Sequence, residues 1–289
     1  MSERSLPEPL TPDSTRELAL LANTIRQDIV RMVTKAASGH PGGPLGLADI
    51  YAVLFRRYLR FYPEPNKPDR DRFILSNAHV CAVAYSVIAR MGAIEVEELD
   101  TFRRLGSRLQ GHPSPLYFPW IENAGGSLGQ GLSFGVGTAL ANRLDGEPDW
   151  LTWVAMSDGE CQEGMTWEAA MSAAHYRLRK LIAFVDYNRI QIDGHTDDVM
   201  SLGDLHEKFK AFGWLVRDAD GHDLMAIDDA FRWAVETDGD APRMILFRTI
   251  LGKGVSFMED NPKWHGSPPS EDQCEQAIAE LEAARAAIG

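Results

Sequence analysis

Apolar positions along this chain follow two patterns, short unbroken apolar runs and longer stretches with helical spacing. The apolar runs lie at 72–76 (RFILS), 151–156 (LTWVAM), 181–187 (LIAFVDY), 214–219 (WLVRDA) and 244–250 (MILFRTI). Strands that are apolar on both faces and separated by helices are typical of a parallel sheet covered on both sides. The pattern therefore predicts an α/β fold, with a doubly wound, mostly parallel sheet and helices on both faces.

The stretches with helical spacing also indicate where helices begin and end. Ser14 and Glu17 have the spacing of a capping box, which predicts a first helix over about 15–37. The glycines and prolines of SGHPGGPLG are expected to end it, before a second helical pattern, LADIYAVLFRRYLRF. Residues 270–289 predict a capped terminal helix. We expect a flexible segment at 1–13 and one domain over 14–289.

The helix predicted at 127–144 is unusual because it contains four glycines. A glycine in a helix interior costs up to about 1 kcal/mol relative to alanine. A loosely formed helix start would account for Gly129 and Gly131. Gly135 and Gly137 instead predict close packing against another helix, which a subunit boundary would provide.

Composition narrows the function classes. The 289 residues are 44% hydrophobic and 25% charged, as in an ordinary globular protein, and the net charge of −13 disfavours non-specific binding to nucleic acid or anionic membranes. The N-terminus lacks the apolar core of a signal peptide, so we expect a cytoplasmic protein. The three cysteines lack the spacing of a zinc site or a disulfide framework and are interpreted as packing residues.

Polar residues follow two predicted strands at the edge where parallel sheets bind ligands. Asp158 follows one strand, and Asn188 follows the next strand thirty positions later. That spacing, about one helix plus one strand, places the two strand ends side by side. A carboxylate beside a carboxamide suits Mg²⁺ when a diphosphate supplies further oxygens. Taken alone, Asp158 or Glu160 would more simply cap the following helix, and Glu160 keeps that interpretation.

At these residues the chain resembles the thiamine-diphosphate enzymes, and specifically the transketolase family. The metal and diphosphate motif of that family is a GDG followed by an asparagine about thirty residues later, here Ser157-Asp158-Gly159 and Asn188. Further matches occur in family order at 38–42 (SGHPG), 75–79 (LSNAH), 111–113 (GHP), 126–131 (GSLGQG), 162–164 (QEG), 192–194 (IDG) and 265–266 (HG).

The resemblance implies thiamine diphosphate as the cofactor and Mg²⁺, Ca²⁺ or Mn²⁺ as the metal. Asp158, the Asn188 side chain and the Ile190 backbone carbonyl would hold the metal. The resemblance also implies that Gly159 and His265 contact the diphosphate, with His79 close by. The backbone of Gly126 and Leu128 would contact the aminopyrimidine side of the cofactor.

Catalytic roles are implied for four histidines and one glutamate. His40, His79, His112 and His265 would line the channel where a sugar reacts, and imidazole can accept or donate the hydroxyl protons of ketol transfer near neutral pH. Glu163 is similar to a family acid at the dimer interface near the cofactor. A structural role is expected for the other histidines, 175, 195, 206 and 222.

The resemblance covers only the first of the three domains usual in the family. The chain therefore looks like the N-terminal subunit of a split transketolase, whose C-terminal partner chain carries the pyrimidine-binding and C-terminal domains in an α₂β₂ assembly. Ser157, in place of the first glycine of GDG, and Ala78, in place of a glycine, depart from the family pattern. An enzyme for unusual sugars, the α subunit of a 2-oxo-acid dehydrogenase and a non-catalytic module remain alternatives.

Overall fold

The computed structural model describes residues 5–289, and its central element is a parallel sheet in which all five predicted strands occur. In chain order the strands are β1 (Arg72–Leu75), β2 (Thr152–Ser157), β3 (Leu181–Tyr187), β4 (Ile190–Gln191), β5 (Gly194–His195), β6 (Leu215–Asp220) and β7 (Arg243–Arg248). Strands β4 and β5 form a separate antiparallel pair. The main sheet has the order β1-β2-β3-β7-β6, and every pairing in it is parallel.

Helices cover both faces of this sheet, which confirms the predicted fold class. They are α1 (Pro12–Ala36), α2 (Gly42–Val53), α3 (Cys81–Arg90), α4 (Gln130–Leu144), α5 (Gly164–His175), α6 (Thr196–Val199), α7 (Leu205–Ala211), α8 (Leu224–Glu236) and α9 (Glu271–Ile288). Helix α2 continues as a π-helical turn over Leu54–Tyr58. The predicted terminal helix is α9, which a capping box between Ser270 and Gln273 begins.

Two apolar cores lie on the two faces of the sheet. Alternate residues of one strand enter different cores: on β2, Trp153 joins the core beneath α1, α2, α3, α8 and α9, whereas Val154 joins the core beneath α4, α5 and α7. Successive strand side chains point to opposite faces. This explains why the strands are continuous apolar runs, and it leaves only the strand ends for polar chemistry.

Two helix starts differ from the prediction. Helix α1 is capped by Thr11, whose side chain accepts a hydrogen bond from Ser14 N in a capping box with Ser14; the predicted box with Glu17 is wrong by one turn, because Pro12 can occupy the first turn of a helix. Helix α2 begins at Gly42, within the segment that was expected to end the first helix and to precede the second. A Cβ at Gly42 would lie 2.5 Å from Leu251, so the glycine permits close packing there.

Two glycines of α4 pack closely against the sheet or the turn that follows β1, and this corrects the role predicted for Gly135. Gly129 is the N-cap residue at φ +85°, where glycine is favoured. A Cβ on Gly131 would overlap Ser76, and one on Gly135 would lie 2.6 Å from Val154. Gly135 thus lies against a strand and not against another helix. Gly137 is exposed, with nothing within 4 Å of the position of its Cβ.

The N-terminal segment expected to be flexible falls partly outside the described residues, at 1–4. Of its described part, Pro12 and Asp13 belong to α1. The carbonyls of Pro7 and Glu8 accept hydrogen bonds from Arg232 and Arg57. Across the described chain, none of the helices combines the length and the apolar character that crossing a membrane requires.

Candidate active site

A cavity of about 430 Å³ opens at the carboxyl edge of the sheet, where β1, β2 and β3 end. The structure brings the predicted site residues together around it. Those that line it are His40, His79, His112, Gly126, Leu128, Gly159, Glu163, Asn188, Ile190 and His265. Asp158 is fully buried and lies next to Gly159 at the end of β2. Residues as distant in sequence as 40 and 265 thus meet in one place.

The turns after β2 and β3 form the expected acid and amide pair. Asp158 caps the 3₁₀ turn Gly159–Gln162, and its carboxylate accepts hydrogen bonds from the backbone N of Gly159, at 2.7 Å, and of Arg189. Asn188 donates through Nδ2 to Asp186 Oδ2 at 2.9 Å, while its Oδ1 accepts from Ile190 N at 2.9 Å. Asp186 therefore fixes the orientation of the Asn188 carboxamide.

The electrostatics of these turns fit a bound cation. Burial, and then the charge of Asp186, raise the pKa of Asp158 well above its usual range, and burial raises the pKa of Asp186 to about 6. Among residues 5–289, neither carboxylate has a hydrogen bond or ion pair with a lysine or arginine side chain. Two buried acids without a cationic partner are costly unless a cation binds.

The donor chemistry of this site suits a hard cation that shares its coordination with phosphate oxygens. Asp158 supplies a carboxylate, Asn188 a carboxamide and Ile190 a backbone carbonyl, all of them oxygen ligands of the kind that Mg²⁺ and Ca²⁺ prefer. Within the described residues, no group of three or more histidine, cysteine or acidic side chains is placed to hold a metal. A metal here would accordingly depend on this mixed set and on the ligand.

Three of the predicted histidines form a compact cluster. The ring centroids of His40 and His79 are 5.3 Å apart, those of His79 and His265 are 5.2 Å apart, and those of His40 and His265 are 5.6 Å apart. The Nδ1 atoms of His40 and His265 are buried without a protein partner among the described residues. Buried nitrogens of this kind normally have a partner, so they are suited to a polar ligand.

The four histidines are held in the neutral form. Burial is the main cause of the lowered pKa in every one of them, and it brings the pKa of His40 to about 4. The charge of Arg103 lowers the pKa of His40 and His112 further. A neutral imidazole carries one donor and one acceptor nitrogen. The cluster can therefore both accept and donate hydrogen bonds to hydroxyl groups at neutral pH.

The loop at 126–129 forms another wall of the cavity. Gly126 has φ +135°, and a Cβ there would lie 3.3 Å from the His112 ring. A Cβ on Gly125 would overlap Ala78, whose side chain replaces the hydrogen of the family glycine. Only glycine fits at these points without a shift of the neighbouring residues. The loop backbone is thus brought close to the cavity, as contact with a flat heterocycle would require.

Glu160 is a site residue that the sequence interpretation missed. It was expected to be an acid at a helix start, and it does lie in the first turn of the 3₁₀ segment Gly159–Gln162. Its side chain, however, is fully buried and accepts hydrogen bonds from Ser76 Oγ, Gly129 N and Ser157 N. Burial raises its pKa to about 7 although these donors oppose the shift. The sequence did contain a signal for this burial: Glu160 follows a buried strand and a glycine, and the side chain of an acid at such a position can turn toward the interior.

Asp186 was also missed, although it is a charged residue within an otherwise apolar run. Its other oxygen accepts a hydrogen bond from the Thr249 hydroxyl at the end of β7. Glu163, by contrast, is exposed at the rim of the cavity and is the N-cap residue of α5. His222 contacts Asp49 at 3.0 Å and accepts from Ile250 N at 2.8 Å, as expected for a structural histidine.

Fold and cavity define the class of this protein as an α/β domain with an acidic, histidine-lined cavity at the carboxyl edge of a parallel sheet. The family model described as the thiamine diphosphate binding domain of transketolase matches residues 18–284. The chain therefore belongs to the transketolase family. This confirms the family inferred from the motifs between residues 38 and 266.

Two relatives match this chain over nearly their whole length. One subunit of the apulose-4-phosphate transketolase of Phocaeicola vulgatus is 39% identical over 91% of this chain and 93% of its own. The 6-deoxy-6-sulfo-D-fructose transketolase subunit SqwG of a Clostridium species is 41% identical over 90% and 94%. Both are named as subunits of transketolases, which confirms the resemblance to a split transketolase and the prediction of a transferase subunit.

Longer transketolases match the chain with a part of their length. Transketolase 2 of Escherichia coli is 40% identical, and the match covers 90% of this chain but 41% of that protein. The crystal structure of transketolase from Campylobacter jejuni superposes with a TM-score of 0.86 at 32% identity, over 94% of this chain and 45% of the other. The chain thus spans less than half the length of these relatives.

Proposed function

We propose that this chain is the N-terminal subunit of a transketolase that transfers a two-carbon ketol unit from a ketose to an aldose, together with a separate C-terminal subunit. The observation that carries the proposal is the cavity in which Asp158 and Asn188 lie beneath three clustered histidines. A site for a metal and a diphosphate alone would not need these histidines. Their presence favours a polyhydroxylated substrate over a 2-oxo acid.

The residues divide into cofactor-holding and sugar-facing groups. Asp158, Asn188 and the Ile190 carbonyl would hold Mg²⁺ or Ca²⁺, with Gly159 and His265 on the diphosphate. Thiamine diphosphate, when bound, supplies a carbanion that accepts the ketol unit. The metal serves as a template that fixes the diphosphate. Gly126 and Leu128 would contact the aminopyrimidine through their backbone atoms.

The histidines would act on the hydroxyl and carbonyl groups of the sugar. His40, His79 and His265 are neutral, so each can accept a hydroxyl proton or donate a hydrogen bond to a developing oxyanion. His112 is the exposed member and lies nearest the solvent side of the cavity. Such proton transfer contributes typically about 10²- to 10⁴-fold to a rate.

A partner surface is available beside the cavity. The exposed faces of α4 and α5, two helices in contact, carry large apolar side chains, namely Phe134, Leu144, Met165 and Met171. Exposed apolar patches next to a functional site commonly mark subunit interfaces. We propose that this face and the rim acid Glu163 meet other subunits in an α₂β₂ assembly, in the cytoplasm.

The substrate class follows from the relatives in part. Both end-to-end relatives are named for sugars with an anionic group, one a 4-phosphate and the other a 6-sulfo sugar. We propose a ketose donor that also carries an anionic group. Ala78 against Gly125 and Ser157 before Asp158 are the departures from the family pattern in the cavity wall. They support a donor different from the common pentose phosphates.

The proposal is tested by reconstitution. The chain is co-expressed with a candidate C-terminal subunit, a separate chain that carries a pyrimidine-binding domain, and ketol transfer is followed with xylulose 5-phosphate, with apulose 4-phosphate and with 6-deoxy-6-sulfofructose. We expect transfer only with both chains, thiamine diphosphate and Mg²⁺ present, and at different rates for the three donors.

Two controls separate this function from its rivals. Pyruvate as donor tests the 2-oxo-acid alternative, and calorimetry with thiamine diphosphate and Mg²⁺ tests the non-catalytic alternative. Full turnover by the isolated chain would contradict the split site. Cofactor binding by the complex without transfer to any aldose would contradict ketol transfer itself.

A further inference from the structure

One buried carboxylate joins three segments that surround the cavity. The side chain of Glu160 turns back toward the sheet: Oε1 accepts hydrogen bonds from Ser76 Oγ and from Gly129 N, the latter at 2.8 Å, and Oε2 accepts from Ser157 N at 3.3 Å. The donors lie 84, 31 and 3 residues away in sequence. Glu160 therefore acts as a cross-link between parts of the chain that are not otherwise neighbours in sequence.

Each of these segments leads to a residue of the proposed active site. Ser157 immediately precedes Asp158 at the end of β2. Ser76 follows β1 and begins the turn that carries His79. Gly129 ends the 126–129 loop and begins α4. The same carboxylate thus fixes the metal turn, the histidine turn and the loop relative to one another.

Close packing at Gly129 and Gly131 restricts the loop, in addition to the hydrogen bond from Gly129 N to Glu160. Gly129 lies at φ +85°, and a Cβ on it would be 2.9 Å from Glu163 Cβ. Gly131, in the first turn of α4, is pressed against Ser76. Side chains of Glu163 and Ser76 thus bound the start of α4 on two sides. The Gly129 N–H donates a hydrogen bond to the Glu160 carboxylate, and this contact holds the loop in place.

We propose that Glu160 is a positioning residue that holds the 126–129 loop against the metal turn, so that its backbone is placed to receive the cofactor. The part of this inference that concerns the cofactor rests on the proposed function. The part that concerns the loop does not. Glu160 contacts neither substrate nor cofactor in this role, and it acts through Gly129 and Ser157.

Asp71 offers a matched control at the opposite edge of the same strands. It is buried, and it accepts hydrogen bonds from Arg60 N at 2.9 Å, Leu151 N at 2.9 Å and Trp153 Nε1 at 3.0 Å. Asp71 and Glu160 are thus both buried acids that accept hydrogen bonds from at least three N–H or O–H donors next to β1 and β2. Replacing either costs stability, but only Glu160 lies beside the cavity.

The experiment compares Glu160→Gln, Glu160→Ala and Asp71→Asn. Hydrogen exchange of the Gly129 amide is measured in the full chain, and the KM for thiamine diphosphate and kcat are measured in the two-chain complex. For Glu160→Gln we expect exchange at Gly129 about tenfold faster and a KM about tenfold higher, because one of several charge-assisted hydrogen bonds is weakened. We expect kcat at saturating cofactor to stay within about threefold, and larger changes in Glu160→Ala.

The outcomes separate positioning from general stability. Asp71→Asn should lower the unfolding temperature while leaving Gly129 exchange and the KM as in the wild type. The inference is overturned if both Glu160 variants exchange at the wild-type rate, or if Asp71→Asn reproduces their changes. A wild-type complex that lacks ketol transfer would contradict the proposed function. Hydrogen exchange of the Gly129 amide in the chain itself would still decide whether Glu160 holds the loop in place.

Discussion

The two edges of the central sheet treat buried charge in opposite ways. At the amino edge Asp71 receives hydrogen bonds from two backbone N–H groups and the Trp153 indole, and Arg243 donates to the carbonyls of Arg179 and Thr237. At the carboxyl edge burial, and then the charge of Asp186, raise the pKa of Asp158, and burial raises the pKa of Asp186. At the amino edge Asp71 is balanced by protein donors, although Arg243 Nε is buried without a partner among residues 5–289. At the carboxyl edge two buried acids lie close together without a hydrogen bond or ion pair to a lysine or arginine side chain among the same residues.

The difference shows which buried polar residues have a structural role and which indicate function. A buried charge that is fully hydrogen-bonded within the protein contributes to stability and specificity of the fold. Buried acids with raised pKa values and no cationic neighbour cost stability, and such groups cluster at functional sites. Four predictions test this contrast, beginning with the largest expected effect.

The largest effect is expected at the histidine cluster. His40→Gln keeps the size of the side chain and one polar group but removes the acid–base function, so we expect kcat/KM of the two-chain complex to fall about 10²- to 10⁴-fold. His206→Gln is the control, because His206 contacts Asp218 away from the cavity. Steady-state ketol transfer measures both. Equal activity of the two variants would contradict a catalytic role for His40.

The second effect concerns the metal. Asp158→Asn removes the only carboxylate of the proposed ligand set. We expect Mg²⁺ affinity in the presence of thiamine diphosphate to fall by about a hundredfold or more, which exceeds the loss typical when a residue that only hydrogen-bonds to a metal ligand is replaced. Unfolding of the metal-free variant should occur at a higher temperature than that of the wild type, because a buried repulsive charge is gone. Calorimetry measures the expected loss of Mg²⁺ affinity, and thermal unfolding measures the expected gain in stability of the metal-free variant.

The third test is at the amino edge. Asp71→Asn keeps the shape but weakens the hydrogen bonds from Arg60, Leu151 and Trp153, so we expect a loss of about 1–3 kcal/mol in the free energy of unfolding. Mg²⁺ affinity should remain within about twofold of the wild-type value, given additivity of distant sites. Urea unfolding and calorimetry measure these quantities. A large loss of metal affinity would remove the distinction between the edges.

The fourth test uses pH. The folded-state pKa of Asp186, about 6, lies above its ordinary value of about 4, so its contribution to the stability of the metal-free chain is fully present below about pH 4 and is lost as pH rises through about 6. The Asp186→Asn variant has no ionisable group at this position, so it does not lose this stability as the pH rises. We expect the stability of the variant relative to wild type to rise by about 2–3 kcal/mol between about pH 4 and about pH 7.

The matching measurement is made with ligand. Saturating thiamine diphosphate and Mg²⁺ should reduce the pH dependence of the difference, because the bound cation stabilises the charged form of the acids. Denaturant unfolding at several pH values, with and without ligand, provides the data. A difference between variant and wild type that stays constant with pH would contradict a raised pKa of Asp186 in the folded chain.

Much of this site could be predicted because it depends on local features repeated along the chain. The five apolar runs are all strands of the sheet, and the spacing from Asp158 to Asn188 does place two adjacent strand ends together. The glycine and proline neighbours of His40, His112 and His265 indicated turns, and these turns lie at one edge of the sheet. A doubly wound sheet collects strand ends on one side, so local spacing was sufficient for Asp158 and Asn188, whereas the roles of the histidines came from the resemblance to the transketolase family.

The missed features depend on contacts between distant segments. Glu160 looked like a helix-start acid because its sequence neighbours are polar, but its partners Ser76 and Gly129 are 84 and 31 residues away. Gly135 looked suited to helix packing, yet the surface it approaches is strand β2. Nothing in the residues next to either position shows which surface will face it.

The sequence by itself determined the parallel sheet, the positions of its strands and the pairing of Asp158 with Asn188 at its carboxyl edge, because hydrophobic periodicity and strand-end spacing are local properties. Only the tertiary structure decided which acids are buried and which of them, like Asp158 and Asp186, lie close to another buried acid without a lysine or arginine partner among the described residues. Burial and the charges that surround a group set its pKa, and both come from segments brought together by folding.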